Sequence, residues 1–214
     1  MASKNILTSA SKAIQAEEIY FLRAECLFHL EFYIEAAYHY EQFAVLYPNS
    51  ELAQRALYLA AYSNYKNSPD ITHSQNEAES ALIYLQDFVD MYPKSALLDS
   101  ANYLMDELRA RLERKMYNWA NLYYKMDYYS AAATAFDLFL KDFPETNYRE
   151  EVLYKIVRSQ YFFARGSVPA RKAERLRDMQ ENADYFLREY PESRYSLEVK
   201  NFLHQSKRYL NNAL

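Results

Sequence analysis

One short phrase recurs four times in the chain and constrains its fold more than any other feature. The phrase has the form Phe, three residues, Tyr or Phe, Pro, any residue, then Ser or Thr. Its copies are FAVLYPNS at 43–50, FVDMYPKS at 88–95, FLKDFPET at 139–146 and FLREYPES at 186–193. The four prolines lie 45, 51 and 47 residues apart. A period of roughly 20–50 residues is typical of repeat architectures, so the phrase predicts a stack of similar units.

The phrase itself indicates where one helix ends and the next begins. Proline pushes the preceding residue out of the α region, so the first helix ends there. The Ser or Thr that closes the phrase can cap the following helix. Acidic residues then favour the first helical turn, where a carboxylate complements the helix dipole. The predicted N-caps are Ser50, Ser95, Thr146 and Ser193, and the first-turn acids are Glu51, Glu150 and Glu151.

Apolar residues before each phrase recur in steps of four and three, which places them on one helical stripe. The stripes are Ala36, Tyr40 and Phe43, then Ala81, Leu85 and Phe88, then Ala132, Phe136 and Phe139. We predict nine helices, at 16–31, 33–46, 51–66, 75–91, 96–125, 129–142, 147–164, 170–189 and 194–212. The fold class is therefore all-α, a superhelical stack of antiparallel helix pairs with one long central helix.

The predicted helices group into one continuous solenoid. We interpret residues 1–15 as a polar leader that need not be ordered, 16–95 as N-terminal repeats, and 96–214 as the long helix with C-terminal repeats. The helix at 96–125 has a length of about 45 Å at 1.5 Å per residue. We expect it to act as a strut that holds the two sets of repeats in fixed orientation.

Composition excludes several classes of function. Gly166 is the single glycine, which removes the glycine-rich loops that hold nucleotide phosphates. The net charge is −4 with both signs interspersed, whereas a nucleic-acid partner requires a basic excess. Four scattered histidines match no metal-ligand spacing, and Cys26 lies in an apolar helical pattern where we expect it to be buried. We therefore expect no catalytic residues, no metal and no cofactor.

Aromatic residues are abundant, with 23 Tyr and 12 Phe. Tyrosine combines a large apolar ring with a hydroxyl, so it suits half-buried grooves. Tyr58, Tyr62 and Tyr65 follow one another in steps of four and three, which makes an aromatic stripe on the first helix of a pair. We propose a peptide-binding surface of Tyr20, Arg23, Tyr58, Tyr62 and Tyr65; the alternative is that these side chains pack between repeats.

The offsets of Ala36, Tyr40 and Pro48, and of Ala132, Phe136 and Pro144, resemble those of tetratricopeptide repeats. These repeats are longer than the 34 residues of that family, and Met179 stands where the fourth repeat should carry a small residue. More specifically, LRARLERK, then ANLYY, then FLKDFPETNYREE within residues 75–163 resemble the BamD family of outer-membrane assembly lipoproteins.

That resemblance implies a non-enzymatic scaffold of the β-barrel assembly machinery. It implies that residues 16–91 hold the C-terminal strand of unfolded outer-membrane proteins. It also implies that residues 129–200 dock on BamA-type periplasmic domains, beside other assembly subunits. Residues of that half and the end of the long helix give the partner-docking candidates Tyr124, Arg149, Tyr154 and Arg158.

The same resemblance implies a position at the periplasmic face of the outer membrane. The family begins with a lipidated cysteine, and Cys26 does not fit that role because it lies in mid-helix. We therefore expect the anchor in a full-length precursor, and no other membrane contact. The alternative is a soluble periplasmic repeat adaptor of cell division and envelope constriction. In such adaptors a similar proline-containing phrase separates the helices, but the repeats have a regular length.

Overall fold

The computed structural model describes the backbone of residues 2–68 and 76–212, and the side chains of residues 15–68 and 78–212. This part of the chain forms nine α-helices and no strand. They are α1 (Ala2–His29), α2 (Tyr33–Leu46), α3 (Ala53–Asn67), α4 (Asn76–Met91), α5 (Leu98–Lys125), α6 (Tyr129–Asp142), α7 (Arg149–Arg165), α8 (Pro169–Glu189) and α9 (Ser196–Asn212).

Adjacent helices pack against each other, which confirms the predicted all-α stack of helix pairs. Three residues join α1 to α2, α5 to α6 and α7 to α8, whereas six join α2 to α3, α4 to α5, α6 to α7 and α8 to α9. Each six-residue turn contains the Pro and the closing Ser or Thr of one copy of the phrase and follows a pair, whereas each three-residue turn lies within a pair. Part of the predicted break at 66–74 lies outside the described residues.

The chain divides into two compact units, Met1–Leu112 and Glu113–Leu214, with the boundary inside α5. The predicted partition into a leader, 16–95 and 96–214 is a different one and stays a prediction. The backbone of α1 is helical from Ala2, so this helix begins well before the predicted residue 16.

Each unit is built on the apolar stripes that the sequence predicts. All nine stripe residues are at most 1% exposed, so this prediction is confirmed. In the first unit, Tyr40 and Phe43 pack in one cluster with α1 and α3, while Leu85 and Phe88 pack in a second cluster with α5. In the second unit, Phe136, Phe139 and Met179 share one core between α5 and α9.

The hydroxyls of the phrase do not cap the helices, and this detail of the prediction is wrong. Each of the four accepts a hydrogen bond from the backbone N–H two residues later, at 3.0–3.1 Å. For α3 and α7 that N–H belongs to the N-cap residue, Leu52 or Tyr148. A turn therefore separates the Ser or Thr from the helix, which begins two residues later than predicted. Glu51 consequently lies in that turn, whereas Glu150 and Glu151 occupy the first turn of α7 as expected.

Three of these hydroxyls also tie the turn to the first helix of the preceding pair. Ser50 donates to Glu17 on α1, Thr146 to Glu113 on α5, and Ser193 to Glu150 on α7. Each hydroxyl is thus used as both donor and acceptor. This explains why the phrase ends on Ser or Thr although it caps no helix.

Two of the three-residue turns place a residue other than glycine in the left-handed region. Glu31 has φ 63° and Asp127 has φ 59°, while Gly166, in the third such turn, has φ −81°. The near absence of glycine therefore does not remove every turn with positive φ from this chain.

Cys26 is exposed, so the expectation that it is buried is wrong. Phe21 and Ala24 occupy the core face of α1. Cys26 lies on another face of the helix, beside the exposed Leu22 and Leu30. Apolar residues on both faces of α1 made the register ambiguous from sequence.

Candidate functional site

In the first unit, Tyr58, Tyr62 and Tyr65 form a stack along α3, which we call the tyrosine ladder. The ring centroids of Tyr58 and Tyr62 are 6.1 Å apart with planes 6° from parallel, and those of Tyr62 and Tyr65 are 5.9 Å apart at 12°. All three side chains are half-buried. The structure thus brings together three of the five predicted peptide-binding residues.

The two ends of the tyrosine ladder are fixed by neighbouring helices. Tyr58 meets the edge of Phe88 at 5.5 Å. Tyr65 donates a hydrogen bond to Glu107 Oε2 at 2.7 Å and accepts one from Arg111 Nη2 at 2.8 Å. Burial and the bond to Glu107 raise the pKa of Tyr65 to about 12. Contacts at both ends therefore hold the ladder in place, and the Tyr65 hydroxyl is neutral at physiological pH.

The middle of the tyrosine ladder packs on α1. The ring of Tyr62 lies 5.7 Å from that of Phe28, and Lys66 Nζ lies 5.6 Å from the Tyr62 centroid. Phe28 was not among the sequence-predicted site residues. It lies seven residues after Phe21 and four after Ala24, which indicated a core position but not which α3 residue it meets.

The other two predicted peptide-binding residues lie elsewhere on α1. Tyr20 packs against α2, with ring centroids 5.8 Å from His39 and 6.3 Å from Tyr47. Arg23 is exposed, and its charge acts together with burial to lower the pKa of His39. Among the described side chains, Tyr20 forms no ring contact with the ladder, so these two residues are not part of it.

In the second unit, a buried cation organises α5 and α7. Lys155 is 7% exposed, and its Nζ lies 2.7 Å from Glu151 Oε1, 2.8 Å from Asn121 Oδ1 and 2.9 Å from Tyr117 Oη. The same ammonium lies 5.4 Å from the Tyr124 ring centroid. A buried charge requires such pairing, because leaving water costs several kcal/mol or more. Lys155 is the residue that sequence reasoning missed.

The contacts of Lys155 lower the pKa of Glu151, one of its three acceptors. Burial alone raises the pKa of Glu151, but the hydrogen bond and charge of Lys155, with the Tyr117 hydroxyl, outweigh it and hold that pKa below 4.5. The Tyr117 hydroxyl donates to Glu151 Oε1 at 3.0 Å. Burial and this bond raise the pKa of Tyr117, so its hydroxyl stays protonated.

One helical turn further along α7, a second polar group connects α5, α7 and α9. Arg158 Nη1 donates to Tyr124 Oη at 2.8 Å, and its Nε lies 3.6 Å from Glu198 Oε1. Tyr154 donates to Glu198 Oε2 at 2.7 Å and stacks on Tyr195 with centroids 4.0 Å apart. We call this group, with Lys155 and its acceptors, the polar row.

The polar row contains three of the four predicted docking residues, Tyr124, Tyr154 and Arg158. Arg149 is not part of it. Its guanidinium donates to the Pro144 carbonyl at 3.1 Å and to Tyr185 Oη at 3.2 Å, so it ties α7 to the α6–α7 turn and to α8. The spacing of these residues along α7 could not predict which of them contact α5 or α9 and which contacts α8.

Neither surface assembles the ligands of a metal centre. Within the described residues, no three His, Cys, Asp or Glu side chains come close enough to hold a metal ion. In the same part of the chain, no helix combines the length and apolarity needed to cross a bilayer. The charged groups of the polar row are paired with each other, an arrangement that presents a preorganised surface.

Comparison with known proteins gives two matches. The profile of the family described as outer membrane lipoprotein, YfiO, matches residues 15–173. The outer membrane protein assembly factor BamD of Caulobacter vibrioides is 29% identical over 125 residues, which are 58% of this chain and 41% of that relative. The alignment thus spans less than half of the relative's length. The family match includes the whole tyrosine ladder and the α5 and α7 residues of the polar row.

Proposed function

Because this chain belongs to the YfiO family of outer membrane lipoproteins, we propose that it is a non-enzymatic scaffold subunit of the machinery that assembles β-barrel proteins in the outer membrane. The family match over residues 15–173 carries this proposal. The name of the similar protein, an outer membrane protein assembly factor, supports it. In this role the protein works at the periplasmic face of the outer membrane, to which a lipid anchor attaches it.

The tyrosine ladder is the proposed site for the C-terminal strand of unfolded barrel substrates. Side chains on one face of a β-strand recur about every 6.7 Å. The ring spacings of the ladder, 6.1 and 5.9 Å, come close to this repeat. An extended strand along α3 can therefore place alternate side chains against successive rings. Half-buried tyrosines supply this contact area at low cost in conformational entropy.

The polar row is the proposed dock for BamA-type periplasmic domains. Arg158 and Glu198 keep part of their side chains in solvent, at 28% and 45% exposure, while their other contacts hold them in place. Charged groups that are already ordered lose little side-chain entropy on binding. Lys155 helps to position them, since its hydrogen bonds to Tyr117 and Asn121 join α7 to α5.

Site-specific photocrosslinking in cell envelopes tests both assignments. A photoreactive phenylalanine analogue at position 62 is expected to capture unfolded barrel proteins, and one at position 124 a barrel protein with periplasmic domains. The control is position 38, because Tyr38 is 57% exposed and its ring contacts His39 rather than either surface. Mass spectrometry identifies the products. Capture of cell-division or peptidoglycan-linked proteins at both positions contradicts the assembly role and supports the adaptor alternative.

A further inference from the structure

A small pocket lies in the second unit where the end of α7, the start of α8 and the end of α9 meet. Its volume is about 150 Å³. The lining side chains are Tyr161, Arg165, Lys172, Leu176, Gln205, Ser206 and Tyr209. None of them belongs to the tyrosine ladder or to the polar row.

The pocket contains two cations whose charge is not neutralised. Among the described residues, neither Arg165 nor Lys172 forms an ion pair with a carboxylate. Their charged groups rest on aromatic rings instead, 5.7 Å from the Phe162 centroid and 4.6 Å from the Tyr209 centroid. The neighbouring Arg171, by contrast, pairs with Glu174 at 3.1 Å. Two cations that share one pocket repel each other, and an anion between them removes that repulsion.

The position of Lys172 adds to this unfavourable charge. It lies in the first turn of α8, where the helix dipole favours an anion and disfavours a cation. That turn contains no acidic residue, and the helix begins at Pro169. The charge of Lys172 is therefore unfavourable for the helix alone, and an anion bound beside it would offset this charge.

Of the remaining polar groups of the pocket, the Gln205 amide can donate further hydrogen bonds. Gln205 Oε1 accepts the hydrogen bond of Tyr161 Oη, which leaves the Gln205 amide N–H groups without a partner among the described residues. Ser206 Oγ is already satisfied, since it donates to the Leu203 carbonyl at 2.8 Å and accepts from Gln180 Nε2 at 2.7 Å. A ligand that enters this pocket thus meets N–H donors and positive charge.

We propose that this pocket binds a carboxylate of a polypeptide, and the experiment below distinguishes the free C-terminal end of a chain from an acidic side chain as its source. Leu176 and the rings of Tyr161 and Tyr209 provide apolar walls, which favour an anion carried on a carbon skeleton. The volume of about 150 Å³ is smaller than the roughly 300–1,000 Å³ of pockets that enclose drug-sized ligands, so the pocket suits a carboxylate with part of its residue. The inference does not depend on the proposed assembly role.

Fluorescence anisotropy with labelled hexapeptides tests the proposal on the intact chain. Three probes share the sequence Gly-Ser-Gly-Ser-Gly-Phe: one ends in a free carboxylate, one in an amide, and one is amidated with Glu at its third position. We expect the free acid to bind at least about tenfold more tightly than the amide, since hydrogen bonds to a charged group are strong. The Glu probe tests the other source: if it binds more tightly than the free acid, the carboxylate belongs to an acidic side chain, and if it binds less tightly, the carboxylate belongs to the chain end.

Variants assign the binding to the pocket. Arg165→Gln and Lys172→Gln are each expected to weaken binding of the acid peptide by about tenfold. Arg177→Gln, an exposed position on α8, is the matched control and leaves binding unchanged. Circular dichroism verifies that the variants stay helical. If the free acid and the Glu probe bind no more tightly than the plain amide, or if the Arg177 and Lys172 changes have equal effects, the proposal is overturned. Binding of inorganic phosphate without binding of the acid peptide overturns the assignment to a carboxylate.

Discussion

Lys155 Nζ on α7 donates a hydrogen bond of 2.8 Å to Asn121 Oδ1 on α5. This bond, together with those to Tyr117 and Glu151, uses all three hydrogens of the ammonium. One buried charge therefore fixes the register of two helices through residues that lie 34 apart in sequence.

Replacement of Lys155 by Met is expected to destabilise the second unit by about 2 to 3 kcal/mol. The substitution preserves most of the volume but leaves Glu151, Asn121 and Tyr117 without their donor. The loss stays below that of a fully buried pair because the Glu151 side chain is 35% exposed and regains water. Urea unfolding followed by circular dichroism measures it. Lys200→Met, at an exposed position on α9, should change stability by less than about 0.5 kcal/mol; a similar loss in both variants contradicts the role of Lys155.

Glu151 is expected to make stability depend on acid pH. Its folded-state pKa is lower than the usual 4.5, so the unfolded state binds its proton more readily. The contribution of Glu151 is therefore complete above about pH 4.5 and is lost as the pH falls through the lower folded-state pKa. Glu151→Gln should be less stable than the wild type at pH 7 and should show a flatter decline below pH 4.5. Chemical unfolding at a series of pH values compares them, and parallel curves speak against this assignment.

Thr146→Val is expected to cost about 1 to 2 kcal/mol, although the two side chains have the same shape. The change removes the acceptor for the Tyr148 N–H and the donor to Glu113. Thr134 is the matched control, because its hydroxyl is exposed and bonds only to the Ser130 carbonyl of its own helix. Thermal unfolding of Thr146→Val and Thr134→Val measures the difference in stability. No difference between them refutes the role assigned to the closing hydroxyl of the phrase.

Glu31→Gly is expected to stabilise the first unit by about 0.5 kcal/mol. The left-handed conformation at φ 63° costs a residue with a side chain about 1 to 2 kcal/mol, and glycine recovers this against its larger unfolded-state entropy. Glu35→Gly, within α2, should instead destabilise by up to about 1 kcal/mol. Unfolding free energies of the pair should therefore change in opposite directions; a loss in both shows that the turn is not strained.

Tyr62→Leu is expected to weaken binding of an aromatic-ended β-strand peptide by about tenfold while stability changes by less than about 1 kcal/mol. Leucine retains apolar bulk against Phe28 but removes the flat ring between Tyr58 and Tyr65. Tyr40→Leu is the control, since that ring is 1% exposed and its loss should lower stability without changing the affinity of the folded molecules. If Tyr62→Leu behaves like Tyr40→Leu, the ladder packs repeats together and binds no peptide.

The structure also separates what periodicity along the chain could predict from what it could not. The ends of α2 and α6 were predicted to the residue, because Pro and a step of four and three are local signals. The grouping of site residues was predicted less well. Tyr20 and Arg149 have the spacing of their neighbours, yet they contact α2 and α8, because a small rotation of a helix decides which partner a side chain meets.

The sequence by itself determined the helical repeats and their turns, since the recurring phrase and the apolar stripes act through neighbours within a few residues. It also determined that the stripes are buried, because apolar residues in steps of four and three share one helical face. Only the tertiary structure decided that Lys155 is buried and paired, that the closing hydroxyls bind glutamates of an earlier helix, and that Arg165 and Lys172 share a pocket. The hydrogen bonds of Lys155 to α5 and of the hydroxyls to glutamates join side chains 33 to 43 residues apart in sequence. Such contacts exist only once the helices have packed.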